Sequence, residues 1–140
     1  MSIEPLENLV KIKQLKKEAP DQGQIDGMIR SAKVRLNDLK VEGLSEAGKF
    51  LSAYGAAHSL ALAALRWHGY RSDSRYIAFQ CLQHTIGLDA GKWRLLSKCH
   101  DIRNQAEYEG ILNITPQLLD EMTTITQELL ETVEGLGPIK

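Results

Sequence analysis

The sequence lacks several features that would place it in a specialised class of protein. It has two cysteines in 140 residues, and its formal net charge at pH 7 is -1. A chain of this length does not need a disulfide to fold, and a small net charge argues against coating nucleic acid or anionic membrane through bulk charge. A local basic patch is the charge-based feature that remains to be considered.

Long apolar runs and a secretory leader are also missing. The longest segment without a charged residue, 50–65, is shorter than the about 18 apolar residues of a membrane span and contains Tyr54 and His58. It is therefore predicted to be a buried core helix. The first residues show no basic stretch followed by an apolar run, so no signal peptide is expected. Cys81 and Cys99 are accordingly predicted to be reduced thiols in the core of a cytoplasmic protein without membrane contact.

The composition that is present suits one folded domain. Apolar residues make up 43% and charged residues 25% of the chain, which excludes disorder and fibrous repeats. A chain of 140 residues has the size of one ordinary domain. We therefore predict a single domain over 1–140 with its core at about 24–134.

Apolar residues recur at the three- and four-residue spacing of helices, and no segment alternates as a strand does. The predicted long helices are 24–41, 45–67, about 92–109 and 116–135, with shorter helices around 6–15 and 74–87. Val34 and Val41 lie off the apolar stripe of the first long helix, and we expect the N-terminal helix to cover them. The predicted class is all-α, an antiparallel four-helix-type bundle with one or two additional short helices.

One helical segment, 98–109, carries polar side chains of several chemical types on a single face. These side chains fall within an arc of about 140°. They are His100, Arg103, Asn104, Glu107 and Tyr108. An arginine fork binds phosphate and a tyrosine ring stacks on a base, so the face suits a phosphate or a base edge. The alternative is an exposed helix face stabilised by an Arg103–Glu107 pair at i, i+4 spacing.

Other motifs give weaker signals. The four zinc-type side chains Cys81, His84, Cys99 and His100 are poorly spaced, because adjacent helical residues point about 100° apart, so no metal site is predicted. No cofactor-binding motif is present either, and no cofactor is expected. His58 is predicted to be a hydrogen-bonded core histidine. A stretch with interleaved arginines and aromatics fits nucleic acid weakly. It contains Arg66, Trp67, Tyr70, Arg71, Arg75 and Tyr76.

Three segments together resemble the HEPN domain family over about 24–130. They are the alanine-rich Tyr54-Gly55-Ala56-Ala57-His58-Ser59-Leu60-Ala61, then Leu65-Arg66-Trp67-His68-Gly69-Tyr70-Arg71, and Arg103-Asn104-Gln105-Ala106-Glu107-Tyr108. The resemblance implies an antiparallel helical bundle and a homodimer. It further implies a ribonuclease, or the toxin of a toxin–antitoxin pair whose partner is a small nucleotidyltransferase. The family's active-site pattern is an arginine, a polar residue, and a histidine a few positions later on the same helix.

Arg103 and Asn104 match the start of that pattern, but Tyr108 stands where the histidine would be. A phenol with a pKa near 10 is a poor proton shuttle at neutral pH. The chain thus resembles the branch with an Ala-Glu-Tyr ending, for which ribonuclease activity does not follow from the motif. His100, one turn before Arg103, is an alternative base on the same helix.

Three hypotheses follow. The first is a noncatalytic module, part of a toxin–antitoxin or defence-type system, that binds RNA or nucleotide through Arg103, Asn104, Glu107 and Tyr108. In it the Arg103 face of a homodimer lies near the dimer cleft. The second is a metal-independent endoribonuclease toxin in which Arg103 binds the scissile phosphate and His100 or Tyr108 assists. The third is a protein-interaction bundle without a nucleic-acid role.

Overall fold

Four long helices and three short ones account for most of the chain in the computed structural model, which describes residues 3–139. The elements in chain order are α1 Glu4–Lys11, β1 Lys16–Lys17, α2 Gln22–Asp38, α3 Glu46–Trp67, β2 Tyr70–Arg71, α4 Arg75–Gln80, α5 Leu82–Thr85, α6 Ala90–Glu109 and α7 Pro116–Glu134. The long helices α2, α3, α6 and α7 match the predicted segments to within a few residues. The predicted all-α bundle is therefore confirmed.

Helix α3 is the central element, as its apolar composition predicts. It packs against α2 and α7 and also against the short helices α4 and α5 and against α6. Its buried residues are Phe50, Ala53, Tyr54, Ala56, Ala57, Leu60, Ala61, Ala63, Ala64, Leu65 and Arg66. The many alanines let neighbouring helices approach closely. As a result, polar residues of α3 lie next to side chains from several other elements.

The predicted helix ends are confirmed where a cap was expected. Ser45 Oγ accepts a hydrogen bond from the Gly48 amide at 3.0 Å, and Thr115 Oγ1 accepts one from Leu118 at 3.1 Å. Gly110 ends α6 in the left-handed conformation, with φ of 72°. Such a stop favours glycine because it has no Cβ. The polar segment predicted to be functional thus occupies the last turns of α6.

The prediction is wrong at two short features of the fold, a strand pair and a break within a helix. No strand was expected, but β1 and β2 pair antiparallel, with Lys16 opposite Arg71 and Lys17 opposite Tyr70. The helix expected over 74–87 is divided at Cys81 into α4 and α5, so the described residues contain three short helices. A ladder of two residue pairs and a break of one residue are too short to leave a periodic pattern in the sequence.

The expected cover for Val34 and Val41 is also wrong. These side chains are 61% and 56% exposed. Helix α1 lies elsewhere, because Tyr70 donates a hydrogen bond to Glu7 at 3.0 Å and the β ladder holds the following residues beside β2. Its Leu6 is fully buried there. The N-terminal segment therefore closes the end of α3 instead of the outer face of α2.

The predicted burial of both cysteines is confirmed. Cys81 and Cys99 are free thiols without exposed surface. Burial raises the pKa of each thiol to about 12, so both are protonated at neutral pH. Within residues 3–139 no helix is long and apolar enough to cross a membrane.

Candidate functional site

The polar face of α6 separates into an anchored part and an exposed part. His100, Arg103 and Asn104 are half-buried, whereas Tyr108 is 82% exposed. Around the helix Arg103 lies about 40° from the buried Cys99, whereas Tyr108 lies about 180° from it. The anchored residues can therefore make fixed contacts with other helices, while Tyr108 is available to a ligand in solvent.

A chain of hydrogen bonds joins the anchored residues to the central helix. Arg103 Nη1 donates to Asn104 Oδ1 at 3.4 Å. Asn104 Nδ2 lies 3.2 Å from His100 Nε2, and His100 Nδ1 lies 2.9 Å from the hydroxyl of Tyr54 on α3. We call these four residues the Tyr54–Arg103 network. It connects two helices over 46 residues of sequence.

The direction of each hydrogen bond follows from Arg103, because a guanidinium can only donate. The oxygen of Asn104 must face Arg103, which turns the amide nitrogen toward His100. His100 Nε2 is then the acceptor, so the proton of the neutral ring is on Nδ1 and is donated to Tyr54. This assignment leaves the hydroxyl hydrogen of Tyr54 unused by the network.

The histidines of this region are neutral near pH 7. Burial lowers the pKa of His100, and Arg103 and Arg75 lower it further while Asp101 raises it. His58, one turn from Tyr54 on α3, has a pKa lowered to about 4, chiefly by burial and then by Arg75. Its ring packs edge-on against Phe79, with 6.0 Å between centroids. The positive charge of the site therefore comes from arginines.

Arg75, at the start of α4, is a cation that the sequence pattern did not single out from its neighbours. Its Cζ lies 5.6 Å from the centroid of the Tyr54 ring. None of the ion pairs within residues 3–139 includes Arg75. Arg75 on α4 thus lies against the Tyr54–Arg103 network, whose other cation, Arg103, lies on α6.

Comparisons of the chain with family models, with curated proteins and with solved structures find no match. Any proposal of function therefore depends on the chemistry of the residues and on the resemblance of their pattern to the HEPN family.

The Arg103–Glu107 pair, which the sequence offered as an alternative role for this helix face, is present. Arg103 Nη2 lies 3.3 Å from Glu107 Oε2, at the i, i+4 spacing that the sequence predicted. Such exposed pairs contribute little to stability, roughly 0.3–0.5 kcal/mol. Because Glu107 engages Nη2 and Asn104 engages Nη1, the guanidinium is held in one orientation.

The interleaved arginines and aromatics between 66 and 76 do not form one surface, contrary to the weak expectation from the sequence. Arg66 is only 3% exposed, and its donors are consumed inside the protein. It donates to Gln24 Oε1, to the carbonyl oxygens of Glu18, Tyr70 and Ala19, and its Nη2 lies 3.2 Å from the Glu18 carboxylate. Arg66 is therefore a structural residue.

The other residues of this stretch also differ in whether they are engaged inside the protein or exposed. Trp67 donates to the carbonyl of Gly137 at 3.0 Å, and Tyr70 is buried. Arg71 is exposed but pairs with Glu18 at 3.4 Å. In this stretch Arg75 stays available to a ligand near the Tyr54–Arg103 network, and Tyr76, which points about 100° away from it around α4, is exposed.

Two further groups on α6 were missed by sequence reasoning. Ser97 Oγ and Trp93 Nε1 are buried without a hydrogen-bond partner. Both lie within about 60° of His100 and Asn104 around the helix. Unpaired buried polar groups carry a free-energy cost. No sequence signal distinguishes them, because the lack of a partner depends on the packing of α6.

The zinc-type residues do not form a cluster. Among the residues that the structure describes, no three His, Cys, Asp or Glu side chains are grouped so that they could hold a metal ion.

Proposed function

We propose that the chain is a HEPN-like helical module that binds RNA or nucleotides through their phosphates and does not cleave them. The carrying observation is the Tyr54–Arg103 network. It orients Arg103 on α6, the helix that also carries the exposed ring of Tyr108 five residues later. A fixed guanidinium binds phosphate with little loss of side-chain entropy, and an exposed aromatic ring stacks on a base.

The proposal of binding without cleavage rests on the state of the nearby bases. His100 uses both ring nitrogens, one toward Tyr54 and one toward Asn104. Tyr108 carries a phenol at the position where the resembled family has an imidazole. No unengaged base is therefore positioned beside Arg103 in the Tyr54–Arg103 network.

The wider context of the proposal comes from the HEPN resemblance. In this context the chain forms a cytoplasmic homodimer whose Arg103 face lies near the dimer cleft. The homodimer is part of a toxin–antitoxin or defence-type system. A small nucleotidyltransferase is the partner protein that this resemblance implies.

Arg103→Ala is expected to weaken RNA binding by about 1–3 kcal/mol, or roughly 5- to 150-fold, because one charge-assisted phosphate contact is lost. The measurement is binding and cleavage of labelled mixed-sequence RNA in EDTA at two salt concentrations. Wild-type affinity should fall steeply with salt, and no cleavage should occur. Arg94→Ala is the matched control, since Arg94 lies on the opposite side of α6, next to Trp93.

Three outcomes would contradict this proposal. Cleavage that disappears in Arg103→Ala would establish the endoribonuclease alternative. An unchanged affinity with a lower melting temperature would make Arg103–Glu107 a structural pair only. Binding that is absent, or insensitive to salt, would favour the protein-interaction bundle.

Tyr108→Leu tests the stacking role separately. We expect a loss of roughly 1–3 kcal/mol in affinity for single-stranded RNA, because leucine keeps apolar surface but offers no aromatic plane. Stability should stay within about 0.5 kcal/mol, since the side chain is 82% exposed. Tyr76→Leu, another exposed tyrosine, is the control. Equal losses in both variants would argue against a specific stacking site at Tyr108.

A further inference from the structure

Arg75 is the cation next to the Tyr54–Arg103 network whose charge is not balanced by an ion pair within residues 3–139. The ring beneath it is immobilised. Tyr54 stacks on Phe50 with 6.3 Å between centroids and meets Phe79 edge-on at 5.8 Å. Arg75 therefore lies against a ring that belongs to the core of the protein.

The local charge favours an anion. Arg75 and Arg103 are cations, while burial keeps His58 and His100 neutral near pH 7. Glu107 balances one of the two guanidinium groups. Asp101 adjoins His100 in sequence, but it is exposed and points about 100° away around α6. One guanidinium charge is thus left without a carboxylate partner in a half-buried setting.

The hydrogen-bond pattern points to the same kind of ligand. Tyr54 accepts from His100, so its own hydrogen is directed elsewhere, and Arg75 also has only donors to offer. The guanidinium of Arg75 lies within hydrogen-bonding range of the Tyr54 oxygen, and the hydrogen bonds of residues 3–139 include no acceptor for its other N–H groups or for the hydroxyl hydrogen of Tyr54. Such adjacent donors suit a ligand with several acceptor oxygens and negative charge, which describes a phosphate group.

We propose that Arg75 and Arg103 together bind a terminal phosphate, so that the site prefers RNA or nucleotides with a phosphorylated end. This inference rests on the proposed function. A terminal phosphate carries about two negative charges at pH 7, whereas a phosphodiester in the chain carries one. Two guanidinium groups from different helices match the dianion better than the monoanion. Arg75 is the residue that determines this specificity.

The test compares three internally labelled oligoribonucleotides of one sequence: 5′-phosphorylated, 3′-phosphorylated and without a terminal phosphate. The wild-type protein should bind one phosphorylated form about tenfold or more tightly than the unphosphorylated form, as expected for one additional bond to a charged group. Arg75→Gln should abolish that preference and retain the affinity for unphosphorylated RNA. Arg75→Lys should keep part of it. Arg71→Gln, in the neighbouring turn and paired with Glu18, should keep all of it.

The outcomes separate the inference from the proposed function. Equal binding of all three oligonucleotides by the wild type would overturn the terminal-phosphate site while leaving RNA binding intact. A uniform loss in Arg75→Gln would also overturn it, because Arg75 would then act as a general positive charge. Absence of binding to every oligonucleotide, to AMP and to ATP would overturn the proposed function and this inference with it. If Arg75→Gln does not fold, the Arg75→Lys variant provides the test. An unchanged preference of Arg75→Lys for phosphorylated RNA would contradict a contact that requires a guanidinium.

Discussion

Arg66→Met is expected to destabilise the protein by about 3–5 kcal/mol at pH 7, measured by equilibrium denaturation in urea. The guanidinium is 3% exposed and donates to the carbonyl oxygens of Glu18, Ala19 and Tyr70 at distances of 2.7–3.5 Å. Methionine fills much of the same volume but cannot donate. The variant would therefore leave three carbonyl groups without their donor, each at a cost of roughly 1–3 kcal/mol less what water recovers.

Arg71→Met is the matched control for this effect. Arg71 pairs with the same residue, Glu18, but its side chain is exposed, and exposed pairs contribute about 0–1 kcal/mol. Arg66→Lys should not restore stability, because a single ammonium group cannot reach the acceptors that a planar guanidinium joins. Similar stabilities for Arg66→Met and Arg71→Met would show that Arg66 does not hold the N-terminal segment on α3.

Lowering the pH from 7 to 5 is expected to reduce the free energy of unfolding, with about 2 kcal/mol of the loss due to His58. The pKa of His58 is about 4 in the folded protein and 6.5 ordinarily. Below about pH 6.5 the imidazole of His58 is protonated in the unfolded chain, whereas in the folded chain it stays neutral down to about pH 4. The stability contribution is therefore complete above the ordinary pKa and is lost as the pH falls toward the folded value. The measurement is urea denaturation at a series of pH values.

His58→Gln should flatten this pH dependence by about 2 kcal/mol, since glutamine does not titrate. The comparison is between the slopes of the free energy of unfolding against pH. A general change in stability at pH 7 therefore does not affect the conclusion. His84→Gln is the control, because burial lowers the pKa of His84 less than that of His58. Parallel pH profiles for His58→Gln and the wild type would contradict the assignment. Burial also lowers the pKa of His68 and His100, which adds to the total loss.

The helices could be predicted because their signals lie within single segments. Ser45, Ser74 and Thr115 cap helices that begin at the next residue, and each cap bond spans three residues. Gly110 stops α6 by its own backbone conformation. The polar face of α6 was predictable for the same reason, because residues 100, 103, 104 and 107 lie on one side of any helix.

The partners of that face could not be predicted. Tyr54, Arg75 and His100 belong to three helices, and no spacing rule relates them. The sequence also does not distinguish the environments of Arg66, Arg75 and Arg103. One is buried with its donors consumed, one lies over an aromatic ring, and one is oriented by an amide.

The sequence by itself thus determined where the long helices begin and end, which faces are apolar, and that Arg103, Asn104 and Tyr108 share one helix face. Only the tertiary structure decided which arginine has its donors engaged inside the protein and which lies over an aromatic ring, and that His100 is held between Tyr54 and Asn104. The physical reason is that helix formation and capping depend on neighbours within four residues, whereas burial, charge balance and hydrogen-bond direction depend on side chains brought together from distant segments.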